Sequence, residues 1–202
     1  MMASMVFRWV RRSALATTAL IALACGGTVP ATPAVLGPWQ AEPFTAQDGS
    51  LAQAAEAACR EKTPQSAGLP VVLHDQRGSG LDTVLFAGET VQARCQVLGA
   101  DDGSVTWLTS GTGDDPGDAP PPLSLQVDSM GSTAGSDTLT INDVVGRTGA
   151  GVVRVRILLS DGSEIVATTS GTWFYAWWPG DATVASLSAD DATGRMVATV
   201  TP

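Results

Sequence analysis

The chain has 202 residues and a formal net charge of −9, from 20 acidic residues against 11 basic ones. That length suffices for one ordinary domain with its own core plus a leader, and falls short of two. Three of the arginines, Arg8, Arg11 and Arg12, sit at the amino end. Without them 8 basic residues face 20 acidic ones, a formal charge of −12, and nothing in such a chain neutralises a phosphate backbone, which excludes nucleic acid as a partner.

Arg8, Arg11 and Arg12 precede an apolar run of twelve, residues 13–24. A run that short matches the apolar part of a signal peptide and is well below the ~20 residues that span a bilayer. Residues 1–24 are therefore expected to be a signal peptide, with the rest of the chain exported. The run ends Ala22-Leu23-Ala24-Cys25-Gly26-Gly27. Small residues at Ala22 and Ala24 suit ordinary signal peptidase, while the cysteine that follows resembles a bacterial lipobox, with Ala22 standing where that pattern prefers leucine. The lipobox resemblance implies lipid on Cys25 and a mature protein tethered to the outer face of the cell membrane. Plain secretion is the alternative; an uncleaved anchor is a third outcome that the short run disfavours. Arg11-Arg12 resembles part of a twin-arginine signal, but Val10, Ser13 and Ala14 miss the fuller motif. Residues 25–43 are rich in Gly, Pro, Thr and Ala without periodicity and read as a flexible tether, with Trp39 and Phe44 docked on the domain's rim. Residues 44–202 are expected to form a single β-rich extracytoplasmic domain.

Ser50 and Gln53 have capping-box spacing, which predicts a helix from Leu51. Leu51, Ala54, Ala55, Ala58 and Cys59 recur at the spacing of one helical face, and Pro64 ends the pattern. After Gly68 the period changes to two. Residues 70–75, 81–87 and 90–98 read as strands, with Gly88-Glu89 between the last two as a two-residue hairpin turn. In the third, Val91, Ala93, Cys95 and Val97 share a face and Gln92, Arg94 and Gln96 the other. Cys59 and Cys95 thus both point inward, and in an exported chain they predict a disulfide. Residues 104–109 read as a fourth strand, residues 111–122 as a long loop, and 123–127 and 138–142 as short strands. Further strands are expected at 152–159, at 164–170 after the Ser160-Asp-Gly-Ser163 turn, at 184–187 and at 196–200.

Between them lies Thr172-Trp-Phe-Tyr-Ala-Trp-Trp-Pro-Gly180, with half of the tryptophans and the only tyrosine. On a strand Trp173, Tyr175 and Trp177 share one face, and Phe174, Ala176 and Trp178 the other. A strand apolar on both faces wants cover on both, so this one is expected to be central and to stop at Pro179. The fold class that follows is mainly β, an antiparallel sandwich or partly open barrel with one N-terminal helix packed on it.

Catalytic signals are sparse. His74 is the sole histidine, and Asp75 beside it points to the opposite face of a strand. No Gly-x-Ser-x-Gly elbow occurs, and zinc lacks the histidines it would need. Gly146-x-x-Gly149-x-Gly151 precedes a strand instead of opening a helix and is not a dinucleotide fingerprint; it reads as turn or bulge glycines. The Asp114-Asp115-Pro-Gly-Asp118 loop lacks the alternating ligands of a calcium site. The chain is therefore expected to be non-enzymatic, without catalytic residues, cofactor or metal, a hydrolase using Asp75 or a loop aspartate being the least favoured option. Trp107, Trp173, Trp177 and Trp178 are candidate ligand-binding residues, because exported β domains present flat rings to sugars, although apolar neighbours on both faces argue for burial.

His74-Asp-Gln-Arg-Gly78, an inward Cys95, Ser160-Asp-Gly-Ser163 and Gly171-Thr-Trp-Phe-Tyr-Ala-Trp-Trp-Pro-Gly180 together resemble a group of exported proteins of high-GC actinobacteria with a Trp-Phe-x-Ala-Trp-Trp-Pro-Gly strand near the end. The resemblance implies a membrane-associated or secreted protein and transfers no catalytic residue. The expected role is interaction with another protein or a wall component, and the alternative is a carbohydrate- or peptidoglycan-binding module.

Overall fold

The computed structural model describes residues 38–44, 49–78, 80–88, 91–100, 104–113, 117–134 and 140–202; the signal segment, Cys25, most of the tether and Asp114-Asp115 lie outside these residues. Helix α1 spans Ser50–Lys62. It begins one residue earlier than the capping box predicts, because Gly49, at φ 63°, is the N-cap, and the Gln53 amide bonds to its carbonyl (3.0 Å). Pro64 ends α1 as expected by opening a 3-10 turn, Pro64–Ser66. Arg60 Nη1 donates to the carbonyls of Ser66 and Leu69, tying the helix end to the chain that leaves it.

Among the described residues twelve strands follow in three antiparallel sheets. The first sheet is a meander of β1 (Val71–Gln76), β2 (Leu81–Ala87), β3 (Gln92–Gly99) and β4 (Val105–Gly113). The central sheet has the order β5 (Leu125–Ala134), β6 (Thr140–Thr148), β10 (Trp173–Pro179), β9 (Thr168–Ser170). The last sheet runs β12 (Met196–Val200), β11 (Val184–Asp191), β7 (Val152–Leu159), β8 (Glu164–Val166). The expected fold class, mainly β with one helix packed on a sandwich, is what the chain adopts.

The layers follow from side-chain alternation. Val84, Phe86, Ala93, Cys95 and Val97 of the first sheet pack under Ala55 and Cys59 of α1. Leu73, Leu81 and Leu85 on the opposite face meet Ile141, Val145, Trp173, Tyr175 and Trp177 of the central sheet. Phe174, Ala176, Trp178 and Val144 on that sheet's other face meet Val155, Ile157, Leu187 and Ala189 of the last. Strand β10 thus has a β layer on each side, as its two apolar faces require. Gly146, opposite Phe174 on β6, is needed at this interface: a Cβ there would overlap the Phe174 ring and the Gln126 carbonyl. Gly146 is therefore an interior strand residue, while Gly151, at φ 90°, is the turn glycine.

Several boundaries differ from expectation. Ala87 pairs with Gln92, so the β2–β3 turn is longer than two residues. The long loop after residue 111 begins only after Gly113, and β5 and β6 are full-length strands. The single strand expected over 164–170 is divided at Ala167, which sends β8 to the last sheet and β9 to the central one. Residues 38–44 belong to the body. The Gln40 and Phe44 amides bond to the carbonyls of Arg77 and Gln76, the Ala41 carbonyl accepts from Val166, and Trp39 sits edge-on to Trp177 at 6.5 Å.

Cys59 and Cys95 form the expected disulfide, which pins α1 to β3 across 36 residues of sequence. Closing a loop of that length removes enough denatured-chain entropy to stabilise by about 3–4 kcal/mol. Reduction, or Cys95→Ser, should lower Tm by roughly 8–15 °C, followed by calorimetry with and without reductant.

Candidate functional site

Polar residues of the strands gather into four clusters, three on the inner faces of the sheets and one on the α1 side of the first sheet. Asp75 and Arg77, two apart on one face of the chain leaving β1, make a doubly hydrogen-bonded pair (2.8 and 2.8 Å) with both side chains fully buried. Thr168 Oγ1 donates to the same carboxylate, and Arg77 reaches the carbonyls of Ala41 and Val166. One guanidinium thereby ties together the first sheet, residues 38–44 and the β8–β9 junction. Burial pushes the Asp75 carboxyl up, against the pull of Arg77 and Thr168. The carboxylate is thus fully enclosed and engaged by Arg77 and Thr168.

His74 points to the other face of β1, as alternation requires, and bonds through Nδ1 to Asp82 Oδ2 (3.0 Å), its diagonal neighbour on β2. Gln76 donates to the same oxygen. Burial lowers the affinity of His74 for a proton, but the hydrogen bond and charge of Asp82, with Glu56 of α1, outweigh it and leave the pKa above its usual 6.5. Arg147 of β6 holds Asp128 through two bonds (2.9 and 3.2 Å), reaches the carbonyls of Gly117 and Asp118, and lies over Trp173 at 5.8 Å.

The fourth cluster opens to solvent and is the candidate site. Arg94 and Gln96 occupy the polar face of β3, and that face is covered by the central sheet. Arg94 Nε bonds to Asp143 Oδ2 (3.1 Å) of β6, and Nη1 to Ser129 Oγ (3.3 Å) of β5. Gln96 Nε2 donates to Tyr175 Oη (3.0 Å), and that hydroxyl lies 3.4 Å from Asp143 Oδ2. The Arg94 side chain is 17% exposed and that of Asp143 7%. Burial pushes the Asp143 carboxyl up, against the charge and hydrogen bond of Arg94, and holds the Tyr175 hydroxyl well above its usual value.

Two glycines make room for this pair. Gly111 faces Arg94 across β3 and β4, and Gly131 faces Asp143 across β5 and β6. A Cβ at Gly111 would lie 3.3 Å from Arg94 Cζ, and one at Gly131 only 2.9 Å from both Arg94 Nη2 and Asp143 Oδ1. A bulge at Asp128 on β5 sets the frame by turning Ser129, Gly131 and Thr133 toward the first sheet. The recess between β4 and β5 has a volume of about 40 Å³ and adds Thr109 and Ser110 to these groups. That space admits a few water molecules and not a sugar ring. The arrangement can orient hydrogen bonds at the mouth of the first two sheets, and its one carboxylate is already held by a cation.

The candidate tryptophans do not converge. Trp173, Trp177 and Trp178 are 9%, 0% and 3% exposed, the first two facing the first sheet and the third facing the last. Alternation along β10 sets Trp178 on the opposite face from Trp173 and Trp177, and the first sheet covers those two. Trp107, 41% exposed, stands apart at β4. Trp178 donates to the Ala182 carbonyl (2.7 Å) and borders a second recess of about 340 Å³ with Met130, Ser132, Asn142, Thr183 and Val184. Sequence patterns picked out neither Asp143 nor the two glycines. The one available signal was an arginine between two glutamines on a strand with an apolar opposite face.

No protein-family model matches the chain, and neither a curated protein nor a solved structure is significantly similar to it.

Asp143 keeps its proton more tightly in the folded state than in the unfolded one, so its contribution to stability falls as pH rises from the unfolded toward the folded pKa. Arg94→Leu takes away the opposing cation, raises that pKa further and leaves a buried charge unpaired. It should cost about 3–5 kcal/mol near neutral pH and less at pH 5, read from urea unfolding at the two pH values. The sign at His74 follows from a raised cationic pKa: its bond to Asp82 stabilises fully below the unfolded pKa and is lost as pH rises through the folded one. The stability gap between wild type and His74→Gln should therefore be wider at pH 6 than at pH 8.5.

Proposed function

We propose that the chain is an exported, envelope-tethered, non-enzymatic domain that binds another protein or a wall component. The observation that carries this reading is the commitment of its buried acids. Asp75, Asp128 and Asp143 are each held by an arginine and Asp82 by His74, bracing strands within a sheet or one sheet against the next, so the polar interior serves architecture and leaves recognition to the surface. The Cys59–Cys95 bond supports export, because such bonds persist in oxidising compartments and are rare in the cytosol. The basic amino end, the short apolar run and Cys25 support a lipid tether, and the aromatic strand supports kinship with the exported actinobacterial proteins it resembles. The recess beside Trp178, where an indole meets Ser132, Asn142 and Thr183, favours a second reading as a carbohydrate- or peptidoglycan-binding module.

Metabolic labelling with an alkynyl fatty acid in a host that processes bacterial lipoproteins tests the tether. Label is expected on wild type and absent from Cys25→Ala, which should appear in the medium instead. Equal label on both proteins overturns lipidation at Cys25.

A further inference from the structure

The sheet edges of this fold are treated unequally. An edge strand exposes a row of unpaired backbone N–H and C=O groups, and proteins ordinarily blunt it by shortening, covering or charging it. Here β8 and β9 are three residues long and β12 five. The end of β1 is flanked by residues 40–44, whose amides occupy the carbonyls of Gln76 and Arg77. Strand β5 is ten residues long and bulged at Asp128, whose carboxylate Arg147 holds, and residues 129–134 keep register with β6. Strand β4, itself bulged at Leu108, is the long edge with no charge anywhere along it. It is nine residues long, Val-Thr-Trp-Leu-Thr-Ser-Gly-Thr-Gly, with no ionisable side chain and no proline. It pairs only with β3, and no backbone hydrogen bond among the described residues meets its outer edge.

We infer that β4 receives an extended segment of a partner polypeptide as a fifth strand of the first sheet. Residues 109–113 keep unbroken register with β3 and present an edge of about 17 Å to an incoming backbone. The bulge at Leu108 directs that side chain into the core and leaves Trp107, 41% exposed, beside the edge as an apolar anchor. The added strand would also lie across the mouth of the Arg94–Asp143 recess, which Thr109, Ser110 and Gly111 line from β4.

Charge selects the occupant. The chain's formal charge is −9, and in the sequence the uncharged β4 is bracketed by Asp101-Asp102 and Asp114-Asp115. Two copies meeting edge to edge would bring like charges together, whereas an uncharged strand with basic ends meets the opposite sign. The partner class is therefore an extended polypeptide, uncharged at its centre and basic at its ends. The inference rests on the interaction-domain reading and names the partner's chemistry.

The test uses the whole purified protein and the synthetic peptide Lys-Lys-Thr-Val-Thr-Val-Thr-Val-Thr-Lys-Lys, fluorescein-labelled, with a control in which the two outer valines are proline. Anisotropy should show saturable binding of the first peptide and none of the control. Amides within residues 109–113 should gain about tenfold protection from hydrogen exchange. Thr112→Lys and Trp107→Lys, both at exposed positions, should each weaken binding about tenfold at unchanged Tm. Unchanged exchange at 109–113 under saturating peptide overturns the inference, as does equal binding of the proline control. Protection of the outward-facing amides of 109–113 already present without peptide also overturns it, assigning the edge to a segment of this chain in a monomer or to a second copy if it grows with a concentration-dependent dimer. The two proposals fail separately: a chain unlabelled at Cys25 that still protects β4 loses the tether alone, and a labelled chain with an unprotected β4 loses the edge alone.

Discussion

Two-sided burial of β10 is the constraint from which the layer count follows. Trp173, Phe174, Tyr175, Trp177 and Trp178 are consecutive apart from Ala176, and all are buried. Rings of this kind each remove roughly 150–250 Å² from water, so at about 25 cal/mol per Å² the five contribute on the order of 20–30 kcal/mol before the entropy of ordering is counted. That exceeds the net stability of an ordinary domain, roughly 5–15 kcal/mol, and a half-wet position for the strand would forfeit about half of it. Strand β10 must therefore have a packed layer on each face. The first sheet with α1 supplies one and the last sheet the other, and Gly146 opens the space that Phe174 fills.

The interface between the first and central sheets is held differently. Part of it is apolar, around Trp177 and Leu85, and part is polar, built from Arg94, Gln96, Asp143 and Tyr175. A buried ion pair adds little net stability over a well-packed apolar substitute, because desolvation offsets the attraction. What it does supply is a penalty for misalignment, since a one-residue slip of β3 would carry Arg94 to the α1 side and strand Asp143. Asp75–Arg77 acts in the same way where residues 38–44 and the β8–β9 junction meet. Register in a three-sheet stack is thus fixed by a few directional contacts set within non-directional apolar layers.

Much of the architecture was legible in the residues themselves, and for a common reason: the elements read correctly are those whose signal is local. Period two marks β2, β7 and β12 to the residue, Pro64 ends α1, and alternation on β3 with helical spacing around Cys59 turns both cysteines inward. The apolar character of both faces of β10 dictates its central place before any partner is known. The inward turn of both cysteines and the opposite facing of His74 and Asp75 follow from side-chain direction, which each strand or helix determines for itself.

Tertiary structure decided what depends on which faces meet. Gln92, Arg94 and Gln96 read as the polar side of a half-buried strand, and only the stacking of a second sheet on that side makes them interior and brings Arg94 to Asp143, 49 residues away. The break at Ala167 is invisible in a continuous run of strand-forming residues, because the chain changes sheets there in response to two separate neighbours. Gly111 and Gly131 matter only through the guanidinium and carboxylate across the register from them. Periodicity reports the direction a side chain takes from its own backbone; the identity of the group waiting in that direction belongs to a distant part of the chain and is settled by packing.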